Sequence, residues 1–254
     1  VVEKNSISDT GKHGIYVDKK AGTAANVTTV KENTIKTAKN RGICINDNTY
    51  ATVSGNTINE TGDDGIYAGI NAVVSIDGNS ITKVKNQGIY INSGAKAEQI
   101  TGNVITGSSQ NGIYVNQKSA GGDILTNQIY DSGKHGIYIN LSTAGSINEN
   151  TIAKKSAKNS SVRGICVNDS KASVNKIVSN KISNCSEHGI MVNAAATVKN
   201  IEKNTVKTVK KNGIYVNEKA KVTLVSGNSV TGAKNIGIYI NVDNKTTLRE
   251  NTLS

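Results

Sequence analysis

Proline, tryptophan and phenylalanine are absent from the 254 residues of this chain, which has one methionine, three cysteines and three histidines. Hydrophobic residues make up 36% and aromatics 4%, all of them tyrosine, so an ordinary globular core is poorly supplied. No apolar run is long enough to cross a membrane, and the opening residues are not read as a signal peptide. Low hydrophobicity is also the mark of disorder, an outcome that the internal repeat described next excludes. The chain opens VVEKNSI without an initiator methionine and closes on ENTLS, so we expect a piece cut from a longer polypeptide.

What the chain has instead is repetition. Near-copies of GIYVN, with GIYIN and GICIN among them, recur with their glycine at 14, 42, 65, 88, 112, 136, 164, 189, 213 and 237. The intervals run from 23 to 28 residues, the period of a solenoid. An asparagine column runs Asn5, Asn33, Asn56, Asn79, Asn103, Asn127, Asn150, Asn180, Asn204, Asn228 and Asn251, and from each to the next such glycine, where one follows, is nine residues, except from Asn150 to Gly164. Aliphatic residues keep register three before each asparagine, two after it, and one and three after the glycine. This period-two alternation is strand patterning.

Each repeat is too short for a strand–helix–strand unit and long enough for three short strands. Stacked turns would pair each strand with its copy in parallel, around columns of identical side chains. The residue after the glycine is isoleucine in all ten copies, Ile15 to Ile238. A narrow interior suits branched aliphatics and has no room for large rings. Asparagine is expected at corners because it tolerates left-handed backbone and its amides can bond along the stack. Glycine is expected where the chain must turn tightly. A second asparagine column, Asn46, Asn92, Asn116, Asn140, Asn168, Asn193, Asn217 and Asn241, closes the GIYV strand.

The pattern NTI, seven residues, GIYVN resembles the right-handed parallel β-helix repeat of pectate lyases, polygalacturonases and many bacterial surface proteins. The resemblance covers the whole chain and implies an all-β, single-stranded parallel β-helix of about ten to eleven coils over residues 1–254. The Lys-, Asn- and Thr-rich style resembles repeat regions of secreted proteins from Gram-positive gut anaerobes. Enzymes of the family imply paired aspartates on one coil and a His-Gly on the next. Here GDDGIY supplies Asp63 and Asp64, the candidates for acid–base work, but the following coil has Gln87 where the histidine belongs. The histidines, His13, His135 and His188, lie on other coils, at a turn position that also takes Arg41, Asn111, Arg163 and Asn212. We therefore read the aspartates as a solvated turn, with Asp64 beside Arg41 of the neighbouring coil.

No metal or cofactor is expected: carboxylates do not stack convincingly on adjacent coils, whereas hard cations need several oxygens together. Cys44 and Cys166 share the tyrosine column five rungs apart, on the order of 24 Å, too far to bridge. Cys185 takes a small inward site, and all three are read as free thiols. Two surface features remain. Tyr16, Tyr67, Tyr90, Tyr114, Tyr138, Tyr215 and Tyr239 form an outward column, either a self-supporting ladder or a strip for a glycan or partner. The net charge of +11, with Lys154, Lys155 and Lys158 in an insertion at 153–162, suits an anionic polymer, although lysines also protect exposed edges.

From these features we expect a non-catalytic extracellular or cell-surface β-helix segment of a bacterial protein, a scaffold or adhesin. Its partners would be polysaccharide or another anionic polymer, with flanking domains of the same chain or end-to-end self-association; no nucleic-acid module is visible. The alternative is a polysaccharide lyase or glycoside hydrolase acting on an acidic polysaccharide such as pectin.

Overall fold

The computed structural model describes residues 1–156, 161–241 and 245–254. Among these residues there is no helix, and so none long and apolar enough to cross a membrane. The strands form three parallel sheets of eleven, eleven and ten strands, each strand paired with the copy one repeat away. The first sheet runs from Val2–Glu3 to Thr247–Arg249, the second from Ser6–Thr10 to Thr252–Leu253, and the third from Ile15–Val17 to Ile238–Ile240.

The register brings like onto like. Val53 pairs with Ile76 in the first sheet, Ile58 with Ile81 in the second and Ile66 with Ile89 in the third. All six side chains are fully or almost fully buried. Burying one such aliphatic contributes about 1.5–3 kcal/mol, and the columns repeat this gain on every coil. Leu248 and Leu253, in the final strands of the first and second sheets, are exposed exceptions.

The first asparagine column is a continuous hydrogen-bonded ladder. Asn79 Oδ1 accepts from the backbone N–H of Asn56 at 3.0 Å and from its amide at 2.9 Å. The Asn79 amide in turn donates to Val53 O and to Asn103 Oδ1. The same bonds recur along the stack, satisfying backbone groups that the corner takes away from water. The left-handed residue is not the asparagine, as expected from sequence, but its predecessor: Glu32, Gly55, Gly78, Gly102, Thr126 and Lys203 all have φ near +60°. Asparagine is required here for its amide.

The glycine column also has a different cause from the tight turn expected. Gly42, Gly65, Gly88 and Gly112 do not have positive φ. A Cβ on Gly112 would lie 2.4 Å from Ile129 Cγ2 and 2.6 Å from the carbonyl oxygen of Gly136 on the next coil. Close stacking of coils, rather than backbone curvature, excludes a side chain.

Candidate functional site

The outer face of the third sheet and the turn leading into it collect most of the unusual chemistry. Strand alternation sends the residue after each core isoleucine outward, so Tyr67, Tyr90, Tyr114 and Tyr138 follow one another directly. Tyr90, Tyr114 and Tyr138 stack with centroids 5.0 and 4.9 Å apart and planes within 6°. Tyr67 meets Tyr90 edge-on, and Tyr215 stacks on Tyr239. Rings that face each other offer solvent their edges. Hydroxyls reach the second asparagine column: Tyr138 donates to Asn140 Oδ1 at 3.1 Å and Tyr215 to Asn217 Oδ1 at 2.9 Å. That column is itself a ladder, Asn140 donating to Asn116, Asn168 to Asn140 and Asn193 to Asn168. Burial pushes the Tyr138 phenol up to about 12 and raises Tyr114 as well, so both stay neutral donors. Tyr16 differs, being 51% exposed with its ring stacked on His13.

The turn position before each glycine forms a second, mostly buried polar column, running His13, Arg41, Asp64, Gln87, Asn111, His135, Arg163, His188 and Asn212. Asp64, Gln87, Asn111, His188 and Asn212 accept from the backbone of the next coil, whereas Arg41 and Arg163 pair with carboxylates instead. Asp64 Oδ1 takes the Gln87 N–H at 3.1 Å, Gln87 Oε1 the Asn111 N–H at 2.9 Å, and Asn111 Oδ1 the His135 N–H at 3.1 Å. His188 Nδ1 plays the same part for Asn212. Sequence reasoning saw the shared position but not this role, which any acceptor can fill.

Asp64 is 1% exposed, so the expected solvated turn is overturned for this residue. The structure brings Arg41 to both aspartates, with Nε 3.4 Å from Asp63 Oδ2 and 3.3 Å from Asp64 Oδ2. Asp63 also accepts from the Asn86 amide at 2.8 Å. Burial and the neighbouring Asp63 raise the Asp64 carboxyl from 3.8 to about 7, against the Gln87 N–H and Arg41. His13 lies two coils away, its pKa lowered by burial and then by Arg41. Such a carboxyl can exchange a proton near neutrality.

A second charged group occupies the same columns further along. Glu187 meets Arg163 Nη2 and Lys211 Nζ, each at 2.6 Å. Burial opposes its charge, but Lys211 and Arg163 hold it below the usual carboxylate range. His135 and His188 are lowered to about 4, by burial first.

The other sequence candidates separate. Lys155 Nζ lies 3.4 Å from the centroid of Tyr130, a ring that sequence reasoning passed over because it stands outside the GIY column. Lys154 lines a cavity facing the later coils. Lys158 falls outside the described residues. Cys44, Cys166 and Cys185 are free and buried. Among the described residues no three His, Cys, Asp or Glu side chains converge as metal ligands.

A family model described as "Right handed beta helix region" matches residues 1–69, 41–200 and 96–253. No curated protein matches the chain. Among solved structures, the catalytic unit of a GH87 α-1,3-glucanase from Streptomyces thermodiastaticus superposes with a TM-score of 0.68 at 16% identity, over 98% of this chain and 55% of that one. The present chain thus spans little more than half of the glucanase unit. Pectate lyase Pel9A gives a TM-score of 0.68 at 15% identity, over 95% and 67%. The A-module of the Azotobacter vinelandii mannuronan C-5 epimerase AlgE4 gives 0.61 at 14% identity, over 98% and 80%. At these identities the likeness is one of fold.

Proposed function

Since the chain belongs to the right-handed β-helix region family, a fold it shares with carbohydrate-active enzymes, we propose that it is a non-catalytic extracellular segment of a bacterial surface or secreted protein, a scaffold or adhesin that contacts polysaccharide along its tyrosine face. The observation that carries this reading is the uninterrupted row Tyr67, Tyr90, Tyr114 and Tyr138 beside the second asparagine ladder. Phenol edges and amides repeat there at one coil spacing, about 4.8 Å, a regular series of donors and acceptors for a regular polymer. Flanking domains of the same chain, or end-to-end contact between copies, belong to the same reading. Affinity electrophoresis in gels containing pectate, alginate or α-1,3-glucan tests it. Retardation by at least one polymer, lost in Tyr90→Ala/Tyr114→Ala, is expected; migration unaffected by all three would sink it.

A second reading is favoured by Asp64 alone. A buried carboxyl held near 7 beside Asp63 and Arg41 suits acid–base cleavage of a polysaccharide. Release of reducing or unsaturated ends, falling about a hundredfold in Asp63→Asn/Asp64→Asn with the fold intact, would establish this reading over the first.

A further inference from the structure

The insertion at 153–162 does more than lengthen one coil. Asp131 Oδ1 accepts from the backbone N–H groups of Lys155 at 2.8 Å and Ser156 at 2.9 Å, tying these two residues to the preceding coil. Lys155 then folds over Tyr130 on the preceding coil. Lys154 belongs to the other side, where a cavity of about 270 Å³ lies at the corner between the second and third sheets.

That cavity is lined by three lysines, Lys154, Lys210 and Lys234, with Asn184, Thr208 and the wall at Cys185. Lys210 and Lys234 occupy the same corner position one coil apart. The Lys210 N–H donates to Cys185 O and the Lys234 N–H to Val209 O. Parallel stacking therefore sets two ammonium-bearing chains about 4.8 Å apart at their roots, an arrangement that like-charge repulsion disfavours. No carboxylate lines the cavity, and among the described residues none of the three lysines has an ion-pair partner. Glu187, the acid of the neighbouring turn, is already held by Arg163 and Lys211.

We infer that this corner is a binding site for a single oxyanion, either the carboxylate of an acidic sugar or a phosphate group. Lysine ammonium groups are rotatable point-charge donors to such oxygens, and the Thr208 hydroxyl and Asn184 amide add uncharged partners. The site lies away from the tyrosine row and does not depend on that row binding anything.

The test is titration of the whole chain with potassium phosphate and, separately, sodium galacturonate at constant ionic strength, following backbone ¹H–¹⁵N shifts. Saturable shifts centred on Asn184, Thr208, Lys210 and Lys234 are expected with at least one probe. Lys210→Gln/Lys234→Gln should weaken that binding about tenfold, and Lys154→Gln less, while Lys219→Gln/Lys221→Gln leaves it unchanged. Saturation by phosphate alone assigns the site to the bare group, and by galacturonate alone to a carboxylate with its sugar ring. Saturation by neither, or an unchanged Kd in the folded Lys210→Gln/Lys234→Gln variant, overturns the inference.

Discussion

Arg41 lies over the thiol of Cys44, with Nη1 3.7 Å from Sγ, and its guanidinium carbon continues to 3.6 Å from the ring centroid of Tyr67 on the next coil. The tetrapeptide RGIC occurs twice, at 41–44 and 163–166, and in both the cysteine replaces a column tyrosine. An arginine before the glycine fills the space that the ring would use, and a small buried residue fits beneath it.

Arg41→Ala should therefore uncover Cys44. Burial raises the pKa of all three thiols, Cys166 and Cys185 to about 12, so native wild-type protein should react slowly with a disulfide reagent. The variant should gain one fast-reacting thiol, identified as Cys44 by mass. Three slow thiols in the variant would contradict this packing.

Gly112→Ala should destabilise by several kcal/mol, roughly 2–4, because its Cβ meets Ile129 and the Gly136 carbonyl at once. Gly11→Ala, with nothing within 4 Å, should shift the midpoint of urea unfolding far less. Equal midpoints would count against close coil stacking as the cause.

Asn103→Ala removes a side chain that accepts from Asn79 and donates to Ile76 O, Thr101 O and Asn127 Oδ1. Several buried groups lose their partner, so a loss of about 3 kcal/mol or more is expected. Ile113→Asp, which buries a charge on the core column, should cost at least as much.

The pH profile should carry opposed contributions. The folded pKa of Asp64 is raised, so its stabilisation is complete below about 4 and is lost as pH rises towards 7. The folded pKa values of His135 and His188 are lowered to about 4, so their contribution grows as pH rises from 4 towards 6.5. Asp64→Asn keeps an acceptor for the Gln87 N–H and removes only the falling part. It should be more stable than wild type at pH 8, by on the order of 1 kcal/mol or more, and nearly equal to it at pH 4. Parallel melting curves of the two proteins across this range would contradict the buried carboxyl.

The winding, the three sheets and both asparagine ladders were legible because stacking repeats the same demand on every coil, and a repeated demand selects a repeated residue. Ile15 to Ile238 and Asn5 to Asn251 could be aligned by eye. Asp64 could not be read this way. Its column mixes acceptors for the next coil, Asp64, Gln87, Asn111, His188 and Asn212, with Arg41 and Arg163, and so resembles a variable, solvated turn. The glycine column was visible, but its cause was not, since the colliding atoms belong to Ile129 and Gly136 on other coils. Tyr130 carried no repeated signal; Lys210 and Lys234 did, at a bend position they share with Lys39 and Lys85, but the cavity they line with Lys154 depends on an insertion that breaks the repeat.

The uniformity of the coil-to-coil contacts has a genetic consequence. Asn103 and Asn127, 24 residues apart, make the same bonds to their neighbours. Excision of the residues from Asn103 through Thr126 would place Asn127 beneath Asn79 in the position that Asn103 vacates. In-frame recombination between repeats can thus shorten or lengthen the rod by whole coils. Each event would carry surface groups such as the RGIC turns or the lysine corner nearer together or farther apart, as blocks, while the interior closes again behind them.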